Sequence, residues 1–397
     1  MAVEADFLST DIVGARSWTV VAGKEVRYDV ILADGLIDLD SRVLLDVTAP
    51  RRTGVKRRFM VLDANVDRMY GGRIRSYFDH YNVACDVLTI STSEERKTME
   101  SVSAVVRALD GFGINRDEPI IAIGGGVLLD IVGVASSLYR RGIPYIRVPT
   151  TLVGLVDAGV GVKSGINHDQ HKNRLGVYHP PVAALLDRGF LATLDRRHIV
   201  NGLSEILKIA LVKDLRLFEL LVEHGTLLTE ERFQDFSQSS GEVGLTVLKR
   251  AISGMLEELG GNLWENTLER IVDYGHSISP TIEMMALPEL LHGEAVAIDM
   301  ALFVALSCRR GLLSTSDRDR ILGLMCDLGL PITHVLLESS MLRCALADTV
   351  RHRGGMQRLP MLTGIGSSCI VNDVSESELV QTVKELGAHG EPGCRVN

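Results

Sequence analysis

Between about Val30 and Val162, short β-branched runs alternate with stretches of helical periodicity, and no other feature of the chain restricts its fold as strongly. The pattern predicts strands at Arg58–Leu62, Asp86–Ile90, Ile120–Ile123 and Tyr145–Val148, with helices near Val66–Tyr81, Met99–Phe112 and onward from Val127. Strands separated by helices pair in parallel through crossovers, so an α/β domain with a doubly wound parallel sheet is expected. After about Phe190 the strand signals fade, and amphipathic patterns follow at Ile199–Val212, Leu215–His224, Glu242–Glu258, Leu268–Ile278, Glu294–Arg310, Ser316–Leu328 and Ser339–Val350. They predict a mainly α-helical second domain, ending in a short hairpin at Leu359–Leu362 and Ser368–Val371 and a last helix at Glu376–Leu386. The boundary is expected near Asp187–Phe190, dividing the chain into residues 1–189 and 190–397 with a cleft between the halves. The segment through Lys24 lacks clear periodicity and is expected to form an arm or an edge strand.

A net charge of −9 speaks against a surface built to collect polyanions, so no nucleic acid partner is expected, while a basic pocket for a single phosphate stays compatible with it. The six cysteines, Cys85, Cys308, Cys326, Cys344, Cys369 and Cys394, contain no CxxC pair, and the N-terminus lacks a basic stretch followed by an apolar run. A cytoplasmic protein with free thiols is expected. No apolar stretch reaches membrane-spanning length; the most apolar helix candidate, Ala295–Cys308, carries Asp299 in its middle and reads as a buried core helix.

The strand Ile120–Ile123 runs straight into Gly124-Gly125-Gly126, and Asp130 falls on the first turn of the helix pattern that follows. Backbone N–H groups of such a loop can approach a pyrophosphate closely, and a helix N-terminus favours its charge. The loop is not GxGxxG, so a tight turn and a dinucleotide site both remain open at this point. Neighbouring strand ends add polar groups on the edge where open α/β sheets bind ligands: Asp63 and Asn65, Glu94 and Lys97, and Thr150 with Thr151 after Pro149. Each taken singly is also an ordinary helix cap or turn residue.

In the second half, Glu205 and Lys208 stand three apart on one helix face, while Gly275-His276 and His292-Gly293-Glu294 each set a histidine beside glycine. One carboxylate with two imidazoles offers three ligands to zinc or a similar cation, although the spacing matches no local metal motif and a lone buried histidine is more often a satisfied core residue. Asp157, Lys163, Lys172, Asn173 and Arg174 cluster after the Pro-Thr-Thr turn, which suits either a phosphomonoester grip or a solvated hairpin.

Taken together, Gly124-Gly-Gly-Val-Leu-Leu-Asp130, Pro149-Thr-Thr151, Asp157 with Lys163, Lys172-Asn173, Glu205 with Lys208, Gly275-His276 and His292-Gly-Glu294 resemble dehydroquinate synthases and related sugar phosphate cyclases, from about Asp63 to Ile370. The resemblance implies contacts to NAD at Asp63, Asn65, Glu94, Lys97, Gly125, Gly126, Asp130, Thr150, Thr151, Lys172 and Thr193, and one divalent metal ion, zinc or cobalt, at Glu205, His276 and His292. It implies that Asp157, Lys163, Asn173 and Lys208 hold the substrate's hydroxyls and phosphate, and that Arg141 reaches the phosphate site of the neighbouring subunit in a homodimer.

Dehydroquinate synthases carry an Arg seven residues before the first metal histidine, an Asn three before it and a second His four after it; this chain has Glu269, Asp273 and Pro280 there, and Leu259 in the apparent place of a further basic residue. An acidic or apolar group facing a carboxylate costs several kcal/mol, so the expected substrate is a sugar phosphate without that carboxylate. With His352-Arg-Gly-Gly355, the replacements look like the branch that cyclises sedoheptulose 7-phosphate, 2-epi-5-epi-valiolone synthases above all, in which Asp273 and His352 would steer ring closure. The implied sequence is transient oxidation by NAD, phosphate elimination, reduction and intramolecular aldol closure, the first step of C7-cyclitol natural-product biosynthesis. Alternatives are sibling cyclases giving 2-epi-valiolone or desmethyl-4-deoxygadusol, a 3-dehydroquinate synthase, and an NAD- and metal-dependent polyol dehydrogenase.

Overall fold

The computed structural model describes residues 6–12, 15–21, 23, 25–49, 56–237, 242–389 and 395–396. Its centre is a six-stranded sheet in the order Asp29–Leu32, Ala183–Leu186, Tyr145–Pro149, Ile120–Gly124, Arg57–Asp63, Ala84–Ile90. All neighbouring strands pair in parallel. Interior strands such as Ile120–Gly124 are buried along their whole length, which is why they read as continuous apolar runs without alternation. The chain leaves Arg57–Asp63 in one direction and returns to Ile120–Gly124 on its other side, so the strand order reverses between these two strands. Asp63 and the glycine loop therefore meet at the switch point, where the helices on either side part to leave a crevice.

Helices Ala64–His80, Met99–Phe112 and Gly126–Leu138 cover the sheet, and an antiparallel hairpin, Lys163–His168 with His171–Tyr178, packs on the last of them. One buried side chain fixes how the chain enters this hairpin. Arg147 is fully buried and donates to Ala158 O (3.0 Å), Gly161 O (2.6 Å), Lys163 O (2.9 Å) and Ser164 Oγ (3.0 Å). It thereby sets the path of the segment from Asp157 to Lys163. The N-terminal segment, expected as an arm or edge strand, forms a hairpin of its own, Asp6–Ile12 against Ala15–Val21.

The helical half is built around Arg196–Lys213 and His292–Arg309, which are buried on nearly every face. Helices with apolar residues all round can be satisfied only inside a core, and these two form its centre. No helix among the described residues is long and apolar enough to cross a membrane. Cys85, Cys308, Cys344 and Cys369 are free, but Cys326 is disulfide-bonded, which corrects the expectation of free thiols throughout; Cys394 lies outside the described residues.

The structure departs from the expected helix at Leu268–Ile278. Only a single 3-10 turn forms there, Ile271–Asp273, before Gly275 adopts φ +76°. A Cβ at Gly275 would lie 2.8 Å from Met300 Cγ and 2.9 Å from Val296 Cγ1, so glycine is needed for both conformation and space. A short helix, Ser279–Met285, follows without a capping side chain of its own. Asp299, fully buried on the facing helix, supplies the cap: its Oδ2 accepts from the backbone N–H of Ser277, Ile278 and Ser279 at 2.6–2.9 Å. Asp299→Ala would orphan these donors, and we expect a loss of about 3 kcal/mol in urea denaturation; a loss below about 1 kcal/mol would show that the cap is dispensable.

Candidate active site

The dinucleotide side of the crevice is built by backbone. A Cβ at Gly125 would meet Thr151 Cγ2 at 3.1 Å, and one at Gly126 would meet Ala158 at 3.2 Å, so the loop and the Thr150-Thr151 turn pack too closely for larger residues to leave the cradle open. Asp63 caps the helix Ala64–His80 by accepting from Asn65 N at Oδ1 (2.8 Å), while its Oδ2 accepts from Thr92 Oγ1 (2.5 Å). Thr193 Oγ1 meets Tyr70 Oη at 3.0 Å. Lys97 is buried and serves both Asp130 (2.5 Å) and Asn173 Oδ1 (2.7 Å), while Glu94 accepts from Asn167 (2.9 Å). The helix-cap role open from sequence is thus realised by Asp63, whereas Glu94, Lys97 and Asp130 are drawn into a cluster of ion pairs at the same edge.

Across the crevice, ligand atoms of Glu205, His276 and His292 all lie within 4.8 Å of one another. Gly293 makes this approach possible: a Cβ there would lie 1.9 Å from Asn201 O, and its N–H donates to Asn201 Oδ1 at 2.6 Å, pinning the His292 helix to the Glu205 helix. Glu294 is turned to other work, accepting from Leu291 N (2.8 Å) and pairing with Arg197 (2.6 Å). Both imidazoles are anchored by Nδ1, His276 to Tyr274 O (3.1 Å) and His292 to Glu283 Oε2 (2.9 Å). That leaves each Nε2 toward Glu205 Oε1, at 3.8 and 3.4 Å. A carboxylate or carbonyl behind a ring nitrogen fixes tautomer and orientation in this way at metal sites.

Neither oxygen of the buried Glu205 carboxylate has a hydrogen-bond partner of good geometry among the described residues, although Lys208 Nζ lies 2.5 Å from Oε2. Lys208 also stands 3.6 Å from Asp157. Burial opposes its charge, but Glu205 and Asp157 outweigh burial and hold the ammonium above its ordinary range. Burial and Lys208 together push the His276 imidazole down to about 4, keeping it neutral. For His292, burial and Lys172 work downward, yet Glu283 and Glu205 prevail and raise it to about 9.

Glu283 escaped the sequence reading. It is buried, accepts from Lys172 Nζ on both oxygens (2.6 Å each) and orients His292. The available signal was an acid standing inside the apolar run Ile282 to Met285 between the two histidines. Lys172, expected beside the cofactor, accordingly reaches the metal trio, with Nζ 2.9 Å from His292 Nδ1.

Charge readers near the mouth are shifted by one residue from those picked out in sequence. Glu269 is exposed, whereas Arg270 turns inward and pairs with Asp273 (3.0 Å) and with Glu265. His352 is exposed at the end of helix Ser339–His352, and the buried cation there is Arg353, 3.8 Å from Asp273. Burial works against ionisation of Asp273, but Arg270 and Arg353 keep its carboxyl below the usual range. The expectation that Glu269 itself faces the substrate is corrected: Glu265 and Asp273 are the inward acids of this segment. Leu259 lies beside the entry to the hairpin, 3.5 Å from where a Cβ of Gly161 would stand. Pro280 occupies the first turn of Ser279–Met285, and Arg141 is exposed on the turn after the glycine helix with φ +64°.

Residues 87–201 match the family model for the 3-dehydroquinate synthase N-terminal domain, and residues 202–350 match that for its C-terminal domain. A 2-epi-5-epi-valiolone synthase of Actinomyces sp. is 55% identical over 94% of this chain and 99% of that one. The chain belongs to the dehydroquinate synthase family. Within it, demethyl-4-deoxygadusol synthase of Trichormus variabilis is 37% identical over 93% of this chain and 90% of its own. The solved structure of ValA, a 2-epi-5-epi-valiolone synthase from Streptomyces hygroscopicus subsp. jinggangensis 5008 with NAD+ and Zn2+ bound, superposes with TM-score 0.89 at 50% identity, over 94% of this chain and 100% of that one. A 2-deoxy-scyllo-inosose synthase structure shares the family's fold at TM-score 0.71 and 21% identity.

Proposed function

We propose that the protein is a sugar phosphate cyclase that converts sedoheptulose 7-phosphate into 2-epi-5-epi-valiolone with release of phosphate, using NAD and one divalent cation. The observation that carries this reading is the Glu205, His276 and His292 trio, with Lys208, set across the crevice from the glycine loop. The identity to 2-epi-5-epi-valiolone synthases supports the choice of substrate. Glu205's unsatisfied oxygens beside two Nε2 atoms fit zinc or cobalt, and the packed cradle at Gly125 and Gly126 fits a pyrophosphate. Held by Glu205, His276 and His292, the cation would supply Lewis acidity toward a substrate hydroxyl, and NAD in the crevice would supply a reversible hydride acceptor.

The remaining work falls to the chain's own side chains. Lys208 and Lys163 meet developing negative charge, Asp157 and Asn173 orient hydroxyls, and Asp273 accepts from the end of the sugar that bears no carboxylate. Asp63, Asn65, Glu94, Lys97, Asp130, Thr150, Thr151 and Thr193 form the dinucleotide side. The division at residues 189 and 190, and a homodimer in which Arg141 serves the neighbouring site, complete the proposal.

Incubation with sedoheptulose 7-phosphate, NAD and Zn2+ or Co2+ tests the reading. Phosphate should be released without accumulation of NADH, and NMR should show 2-epi-5-epi-valiolone. Stoichiometric NADH would identify a dehydrogenase instead.

A further inference from the structure

Two cations from different halves of the protein converge on one carboxylate at the mouth of the site. Lys163 Nζ, from the hairpin, and Arg270 Nη1, from the segment before His276, both pair with Glu265 Oε1. Tyr178 donates to the other oxygen, Oε2, at 3.1 Å. The Glu265 side chain is 10% exposed, whereas Lys163 is half exposed. Glu265 thus sits on the inner side of the pair. Its backbone is left-handed at φ +54°, an uncommon conformation for glutamate that Asn262 holds by bonding to Thr267 N (3.1 Å) and Thr267 O (2.6 Å). Trp264 packs edge-on against Tyr178, with ring centroids 6.0 Å apart.

A lysine and an arginine aimed at one point, with a tyrosine hydroxyl completing the shell, are what a protein uses to bind a carboxylate ligand. Here the carboxylate is the protein's own. We propose that Glu265 is a specificity-determining residue: it fills, as an internal counter-ion, the place between Lys163 and Arg270 that a substrate carboxylate would take, and so excludes carboxylated sugar phosphates. Asp273, on the other side of Arg270, reinforces the exclusion by satisfying that guanidinium a second time. A carboxylate entering this corner meets two resident acids and cations already paired, while a neutral hydroxymethyl group meets acceptors it can donate to. This deepens the reading of the substrate given above and rests on it.

The test compares direct binding, by calorimetry on the NAD- and zinc-loaded protein, of phosphonate analogues that cannot lose phosphate: that of sedoheptulose 7-phosphate and that of its carboxylated counterpart, a seven-carbon 2-keto sugar acid phosphate. Wild type should bind the acid at least about 100-fold more weakly. Glu265→Gln, which keeps size and removes charge, should narrow that ratio by about tenfold or more, with the neutral sugar affected less than about threefold. An unchanged ratio, or equal weakening of both ligands, overturns the proposal. As a second measurement, formate should raise the melting temperature of Glu265→Ala but not that of wild type. Failure of both variants to fold even with formate also overturns it, because Glu265 would then be a structural ion pair. Phosphate release by wild type is read separately: its absence would sink the cyclase reading, whereas the ratio in Glu265→Gln decides the role of Glu265.

Discussion

Glu205→Ala should release phosphate from sedoheptulose 7-phosphate at least about a thousandfold more slowly than wild type, and should purify with little bound zinc. The carboxylate is the only anionic member of the trio, and it lies fully buried between two imidazoles and Lys208. Without it, the cation would face two imidazoles and a nearby ammonium with no anionic ligand, an arrangement that repels rather than holds a divalent ion. Metal content by mass spectrometry and phosphate release should fall together, while Glu205→Gln, which preserves volume, should fold normally and lose both as well. Full activity in Glu205→Ala would sink the metal assignment.

The second large effect is on stability. Arg147→Met should destabilise the protein by about 4 kcal/mol, because three backbone carbonyls and the Ser164 hydroxyl lose their donor in the interior. Methionine fills much of the volume, so the loss isolates the polar contribution from a cavity. Urea denaturation measures it, and a loss under about 1 kcal/mol would mean that the carbonyls find other partners. Since those carbonyls belong to the segment between Asp157 and Lys163, surviving protein should also show a raised KM with a smaller change in kcat.

The parallel sheet and most helices were legible because burial on both faces writes continuous apolar runs, and burial on one writes a 3.6-residue period. The Gly275 turn was not legible. The stretch Leu268–Ile278 has helical spacing, and only the approach of Val296 and Met300, far along the chain, shows why it must open. For the site, glycines and histidines marked the two walls, yet Glu283, Asp299 and Arg147 act through partners in other elements and carry no motif. The same limit explains Glu269 and His352. Spacing from the metal histidine and resemblance to the family's motifs pointed to them, while side-chain direction, set by the turn at Ile271–Asp273 and by the end of helix Ser339–His352, put Arg270 and Arg353 inside.

Lys172 leaves the hairpin of the nucleotide-side half and ends between Glu283 and His292 of the helical half. On the proposed function, in which Lys172 also serves the dinucleotide, one ammonium would belong to both ligand sites at once. A dinucleotide that draws on Lys172 alters the charge felt by His292, and a cation that engages His292 alters how firmly Glu283 keeps Lys172. The two affinities would then be thermodynamically linked, and whatever factor the cation imposed on the dinucleotide, the dinucleotide would impose on the cation.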